Sequence, residues 1–231
     1  MNQLISIRQI KKAHLPSNSR LRRIDTIRTP GLMNCKPAIF LDRDGVLIDD
    51  VGYLSRIDQI KLLDRVPESI LLLQQHFYII IVTNQSGIAR SFFNEQDLLN
   101  VHTALINKLN AHGAIIDYIY FCPHFEGSTD PQYSITCNCR KPLPGMLLKA
   151  REEWGISMNK SFLIGDMMRD VTAGESAGVK SFLINNSSNN RSTHSVMQSY
   201  NLWDVSQQII SIHRKSNYTD SKIADTDNSN A

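Results

Sequence analysis

The sequence predicts an α/β protein, a Rossmann-like, doubly wound parallel sheet with helices on both faces. Three observations carry this. Short runs rich in β-formers, at 38–41, 77–82, 118–121, 162–164 and 181–184, alternate with longer segments of helical pattern. The runs are apolar throughout instead of alternating, as expected for strands covered on both sides. Two of them stop abruptly at acids, Asp42-Arg43-Asp44-Gly45 and Gly165-Asp166, and ligands in open α/β sheets bind at the C-terminal strand ends.

Residues 1–33 carry seven basic side chains against Asp25 alone, a net of +6 in a chain whose total is +3, so the remainder is −3. The folded part is therefore mildly acidic, and the pI of 8.7 makes no case for nucleic-acid binding. The segment ends at the breaker cluster Thr29-Pro30-Gly31 and is expected to be a dispensable, flexible basic extension. Its Arg-rich, acid-poor composition also fits a targeting segment, and Met33 would serve as an alternative start.

The domain is expected over 34–213. After the first strand, 46–63 includes Asp49-Asp50-Val51-Gly52-Tyr53, too short and polar for a separate domain, and should form a flap or hairpin over the strand end. Pro67 near the start of 66–76 marks a helix. The strand at 77–82 runs into Thr83-Asn84-Gln85-Ser86-Gly87, a loop rich in hydroxyl and amide groups. A helix at 95–111 and the strand at 118–121 lead to Cys122-Pro123-His124, a polar loop, and Cys137-Asn138-Cys139-Arg140-Lys141-Pro142. A helix at 144–154, the strand at 162–164 and a helix ending at Gly178 follow, the glycine suiting a C′ position. Beyond the strand at 181–184, the Asn- and Ser-rich 185–201 reads as a surface loop. Asp204 should cap a short last helix through His213, and 214–231 reads as a disordered tail.

A chain of 231 residues suits one domain with a sizeable core. No apolar run approaches the ~18 residues of a membrane span, and the N-terminus lacks the apolar centre of a secretory signal. A cytoplasmic monomer without nucleic-acid or membrane partners is expected.

Alternation along a strand sends Asp42 and Asp44 to one side, where two anions repel unless a cation joins them. All-oxygen ligands favour a hard ion such as Mg²⁺, which leaves room for a phosphate. Asp166, past another strand end, supplies a third carboxylate. The hydroxyl of Thr83 and backbone N–H groups at Thr83 and Asn84 would grip phosphate oxygens, and Lys141 would add positive charge. The cysteines tell a second story. Cys122 and His124, then Cys137 and Cys139, are paired two residues apart, and Cys137 follows Cys122 by 15 positions. Cys₃His is a closed tetrahedral zinc set, structural and not catalytic. It would pin the polar loop and deliver Arg140 and Lys141 to the phosphate. Cys35 reads as a free thiol, and His76, His102 and His112, on predicted helices, as ordinary structural or surface residues.

These motifs resemble the haloacid dehalogenase superfamily of aspartyl-phosphate phosphatases, matched by Asp42-Arg43-Asp44-Gly45, Thr83, Lys141 and Gly165-Asp166-Met167-Met168-Arg169-Asp170 over roughly 36–185. Leu41-Asp42-Arg43-Asp44-Gly45, Thr83-Asn84-Gln85-Ser86-Gly87-Ile88-Ala89-Arg90 and Cys139-Arg140-Lys141-Pro142 are similar to its D-glycero-D-manno-heptose 1,7-bisphosphate 7-phosphatases, capless members with a zinc loop. The resemblance implies Asp42 as nucleophile and Asp44 as general acid–base. It implies Mg²⁺ on the carboxylates of Asp42 and Asp166 and the backbone carbonyl of Asp44. It further implies a sugar-bisphosphate substrate of heptose or lipopolysaccharide-core biosynthesis, contacted by Asp50, Tyr53, Thr83, Asn84, Gln85, Ser86, Arg140 and Lys141. Two positions depart from the pattern. Val46 stands where many members have Thr, and Met167 where many heptose phosphatases have Lys. A histidinol-phosphate phosphatase is the rival enzyme, although the stretch between its zinc-ligand pairs tends to be shorter. A non-catalytic sugar-phosphate binding module is the rival of another class, against which the full set of acids argues.

Overall fold

The computed structural model describes residues 35–184 and 197–228, with side chains given as far as residue 216. The basic extension therefore lies outside the described residues. Six parallel strands form one sheet in the order β3-β2-β1-β4-β5-β6. They are β1 (Ala38–Leu41), β2 (Tyr78–Asn84), β3 (Tyr118–Cys122), β4 (Phe162–Gly165), β5 (Lys180–Ile184) and β6 (Met197–Ser199). The helices are α1 (Val66–Leu73), α2 (Glu95–Asn110), α3 (Gly145–Trp154), α4 (Met168–Ser176) and α5 (Leu202–Asn228). The chain runs outward from β1 to β3, then returns to the other side of β1 for β4, so the strand order reverses beside β1. That reversal opens the crevice in which doubly wound sheets hold ligands.

Alternation sorts the strand side chains between two layers. Ile39, Leu41, Ile79 and Ile81 pack with residues of α1, α2 and α5. Ala38, Phe40, Ile80 and Val82 pack with residues of α3 and α4. Both faces being covered accounts for the unbroken apolar runs. The register Leu41↔Ile81 and Leu41↔Ile164 brings the ends of β1, β2 and β4 to one level. The flap forms a short two-stranded hairpin, with Leu63 N–H donating to Leu47 O at 3.0 Å and Asp49 N–H to Lys61 O at 3.0 Å.

The two ends of the second half depart from the sequence reading. Residues 197–199, placed in a surface loop, pair with β5 as β6, although 185–196 lies outside the described residues. The last helix starts one turn earlier than a cap at Asp204 would allow. Asn201 caps it instead, its Oδ1 accepting from the Asp204 N–H at 2.9 Å. The helix also continues past His213 to Asn228. No Gly or Pro follows Leu202, so a helix nucleated against α1 propagates without a breaker.

Phe40, fully buried one layer below the site, is the core's link to Asp42. Phe40→Ala should cost ~3–5 kcal/mol of stability, measured as a lower denaturation midpoint in urea.

Candidate active site

Asp42 leaves β1 with its N–H donating to Ile164 O at 2.9 Å, which ties the strand end to β4. Its Oδ1 accepts from the Arg43 N–H at 2.7 Å, and its Oδ2 faces Lys141 Nζ at 3.0 Å. Gly45 then turns the chain with φ +73°, and a Cβ there would stand 2.4 Å from Asp166 Oδ2. Glycine is thus required twice, for the turn and for the approach of the third acid. Asp42, Asp166 and Asp170 bring carboxylate oxygens within 4.8 Å of one another.

Asp170 has no role in the sequence reading, yet it is fully buried. Its Oδ2 caps α4 by accepting from the Met167 N–H at 3.1 Å, and its Oδ1 pairs with Lys141. The spacing Asp166-x-x-x-Asp170 across a helix start was the available signal. Lys141 has partners that the sequence reading did not assign. Its three donors are all engaged, by Asp42, Asp170 and Val82 O, the last at 2.7 Å. Burial pulls its pKa down, but the two carboxylates outweigh burial and hold it protonated above its ordinary value. Lys141 is a charge-balancing clamp before it is a phosphate contact.

Asn84 makes a side-chain contact that the sequence reading, which used its backbone N–H, did not assign. It ends β2, and its side chain makes a two-way bond with the backbone of Lys141, accepting from N–H and donating to C=O at 3.0 Å each. Its side-chain amide positions the lysine. Thr83, buried, accepts at Oγ1 from Gln85 Nε2 at 2.8 Å, and the same Nε2 reaches Asp44 Oδ2 at 3.2 Å. Ser86 is half-buried in the turn that follows. Asp44 stands apart from the three-acid cluster, its carboxylate held by Arg43. Burial pushes its pKa up, and Arg43 opposes that shift. On the flap, Asp50 turns its carboxylate onto the Gly52 N–H at 2.8 Å, while Tyr53 packs on Phe92 with ring centroids 4.4 Å apart. Neither touches the acids. Tyr53 instead closes the flap against the loop that carries Gln85 and Ser86.

The four zinc-type residues do converge. Cys122 Sγ lies 3.7 Å from Cys137 Sγ and 3.2 Å from Cys139 Sγ. His124 points Nδ1 inward, 3.3 Å from Cys139 Sγ and 3.7 Å from Cys122 Sγ. Zn–S bonds of ~2.3 Å in a tetrahedron place sulfurs ~3.8 Å apart, so the donor set matches one ion. Burial lowers the His124 pKa, keeping it neutral as a ligand must be. The Cys139 thiol is pushed up by its bond to Cys122 and then by burial, and Cys137 by burial first. Metal-free, those two stay protonated, and a bound ion would displace their protons. Beyond the cluster, Phe125 carries two guanidiniums, with Arg90 Cζ 3.8 Å and Arg140 Cζ 5.6 Å from its ring centroid. Arg140 also donates to His124 O at 3.3 Å. Neither arginine has a carboxylate partner among the described residues.

The three-acid cluster fits a hard cation on its own terms. Asp166 Oδ1 is buried without a hydrogen-bond partner among the described residues. Burial, then the charges of Asp42 and Asp170, push Asp166 up to about 6. One lysine against three carboxylates leaves an excess of negative charge that a divalent ion would neutralise.

A sheet of this topology with acids at the ends of β1 and β4 defines a haloacid dehalogenase-like hydrolase. The HAD-hydrolase-like family profile matches residues 138–202. The chain is 44% identical over 144 residues to D-glycero-beta-D-manno-heptose-1,7-bisphosphate 7-phosphatase of Photorhabdus laumondii, 62% of this chain and 77% of that protein. To its namesake in Pasteurella multocida it is 44% identical over 151 residues, 64% of this chain and 81% of the relative. The crystal structure of D,D-heptose 1,7-bisphosphate phosphatase from B. bronchiseptica, complexed with magnesium and phosphate, superposes with a TM-score of 0.66 at 28% identity, covering 76% of this chain and 98% of that one. The chain belongs to the family of these heptose bisphosphate phosphatases.

The raised pKa of Asp166 gives the cation site a pH signature. In metal-free protein its ionisation opposes folding, so that contribution to stability is present below 3.8 and lost as pH rises through about 6. Mg²⁺ needs the ionised carboxylate. At ~100 times its Kd it should add ~2.7 kcal/mol at pH 7.5, and the added thermal stability should shrink as pH falls through about 6. Melting curves with Mg²⁺ or EDTA from pH 5 to 8 measure this; a pH-independent gain would count against Asp166 as a ligand.

Proposed function

We propose that the chain is a Mg²⁺-dependent phosphatase removing the 7-phosphate of D-glycero-D-manno-heptose 1,7-bisphosphate, with Asp42 as nucleophile. The observation that carries this is a carboxylate pinned by Arg43 N–H and Lys141 beside two further acids at the sheet's switch point. An oxygen of Asp42 attacks phosphorus, and the bond from phosphorus to the C7 oxygen breaks as the aspartyl-phosphate forms. Asp44 gives its proton to the departing sugar oxygen. Ionised, it then takes a proton from a water whose oxygen attacks the same phosphorus, releasing phosphate and restoring Asp42. The raised pKa of Asp44 favours the first role, and the Arg43 pairing favours return to the ionised form. Asp42, Asp166 and the Asp44 carbonyl would hold Mg²⁺, which when bound neutralises phosphate charge that would repel an anionic nucleophile.

Arg90 and Arg140 on Phe125 give this reading its bisphosphate. Two cations without carboxylate partners among the described residues, one residue from Lys141 in the case of Arg140, suit a distal phosphate that histidinol phosphate lacks. The relatives' name specifies the β anomer, and we carry it to this chain. Thr83, Gln85 and Ser86 would meet the transferred phosphate, and Asp50 and Tyr53 the sugar. No helix among the described residues is long and apolar enough to cross a membrane; separately, we propose a cytoplasmic, monomeric enzyme of heptose biosynthesis.

Cys122, His124, Cys137 and Cys139 would hold a structural zinc, four ligands leaving no open position. Cys137→Ser should lose zinc, lower the melting temperature and raise KM for the bisphosphate, with residual Mg²⁺-dependent turnover. Metal content and kinetics on the purified variant test this, and a zinc-free protein of full activity would refute it.

The function is tested by a panel of both heptose bisphosphate anomers, fructose 1,6-bisphosphate and histidinol phosphate. The highest kcat/KM should fall on the β-heptose bisphosphate, and Asp42→Asn should abolish turnover of every compound. Preference for histidinol phosphate would overturn the substrate; turnover surviving in Asp42→Asn would overturn the mechanism.

A further inference from the structure

Arg43, the residue between the two acids, is among the largest fully buried side chains of the described residues. The chemistry above uses it only as a partner of Asp44, yet it donates in two directions. Nε and Nη2 fork onto both oxygens of Asp44 at 2.9–3.2 Å. Nη1 lies 3.1 Å from Nε2 of His102, on α2. A guanidinium has no acceptor, so Nε2 accepts and the ring proton sits on Nδ1. Burial, and then the charge of Arg43, hold His102 well below its ordinary pKa, in keeping with that neutral form. The imidazole is itself fixed, buried on the apolar stripe with Leu98, Val101 and Leu105 and edge-on to Phe121 at 6.0 Å.

The geometry points to His102 as a positioning residue for Asp44, acting through Arg43. A two-pronged bond requires guanidinium and carboxylate to be nearly coplanar, and a long arginine side chain has many torsions that can break that plane. A rigid acceptor on the third nitrogen removes this freedom. Without it, the buried Nη1 would turn toward another acceptor and carry the fork off Asp44. Proton transfer tolerates little error, since ~1 Å of misplacement can cost ~10²-fold. The inference rests on the proposed role of Asp44 as the acid that protonates the leaving oxygen.

The leaving group supplies the test. A sugar oxygen needs its proton to depart, whereas p-nitrophenolate leaves without one. The constant kcat/KM covers events up to aspartyl-phosphate formation, before water is activated. His102→Leu should lower kcat/KM for the heptose bisphosphate ~10-fold or more and for p-nitrophenyl phosphate less than ~2-fold. His102→Gln, whose amide oxygen can accept from Nη1, should recover most of the ratio between the two substrates. A role confined to folding would lower both alike, so an unchanged ratio in folded His102→Leu overturns the inference. If thermal melting shows that variant unfolded, Arg43→Lys decides. It keeps the charge and loses the fork, and an unchanged ratio there also overturns the inference. Wild-type protein that cleaves p-nitrophenyl phosphate and fructose 1,6-bisphosphate but no heptose bisphosphate would refute the proposed substrate alone, and the same ratio is then read with fructose 1,6-bisphosphate. A ratio insensitive to Asp44→Asn would overturn the acid role and this inference with it.

Discussion

The fully buried ammonium of Lys141, held between Asp42 and Asp170, is the interaction on which the rest depends. A lone charge in such a place would be costly, and removing one partner of a buried pair leaves an uncompensated ion. The arrangement holds because all three N–H donors of the lysine find acceptors on separate elements. Asp42 follows β1, Asp170 opens α4, and Val82 lies in β2. One side chain thereby fixes the mutual positions of the strand ends that build the site. The lysine is in turn delivered by a polar loop that has almost no core of its own. Asn84 grips its backbone from β2, and the Cys₃His set anchors the segment two residues upstream.

The second carboxylate of the pair receives a cation of its own. Lys141 faces Asp42, and Arg43 faces Asp44. The two acids are one residue apart, and the proposed mechanism asks attack of one and proton transfer of the other. Environments that push paired carboxylates apart are the general means to that end. Here the two acids receive different partners. Asp42 takes an ammonium, a backbone N–H and the neighbouring acids, while Asp44 takes a guanidinium fork and Gln85, beside an imidazole held neutral.

Much of this was legible in the sequence, for physical reasons that also mark where legibility ends. Strands β1 to β5 are built around apolar runs, and those of β1 and β4 run directly into acids. The zinc-type residues declare themselves by spacing. Strand β6 has three residues, no apolar run, and owes its state to pairing with β5. Asn201 and Asp204 are both good caps three residues apart, and only the fold chooses between them. The phosphate assignment of Asn84 and Lys141 follows from their chemistry, but the Asn84 side chain meets the Lys141 backbone and the Lys141 ammonium meets Asp42, Asp170 and Val82 O, all distant in sequence and beyond any local pattern. His102 is the clearest case. A histidine on an apolar helical stripe reads as structural, and its acceptor role follows only from a guanidinium 59 residues earlier in the chain.

The acids and their cations account for cleavage of a phosphate ester in general. Selectivity has to come from elsewhere, because the described residues hold no separate domain above the strand ends. Three loops surround them, and each is fastened to the next by side chains instead of by a shared core. Tyr53 joins the flap to Phe92 of the loop after β2. Ser128 of the zinc loop donates to Ala89 O of that same loop. Arg90 lies across Phe125, while Arg140 approaches the same ring from the segment that carries Lys141. The contacts that fix the loops are thus interleaved with groups offered to substrate. A change in any one loop would reshape the mouth of the site and leave Asp42, Asp166 and Lys141 where the sheet puts them. On the proposed mechanism, phosphoryl chemistry is set by the strand ends, which leaves the identity of the sugar to the loops.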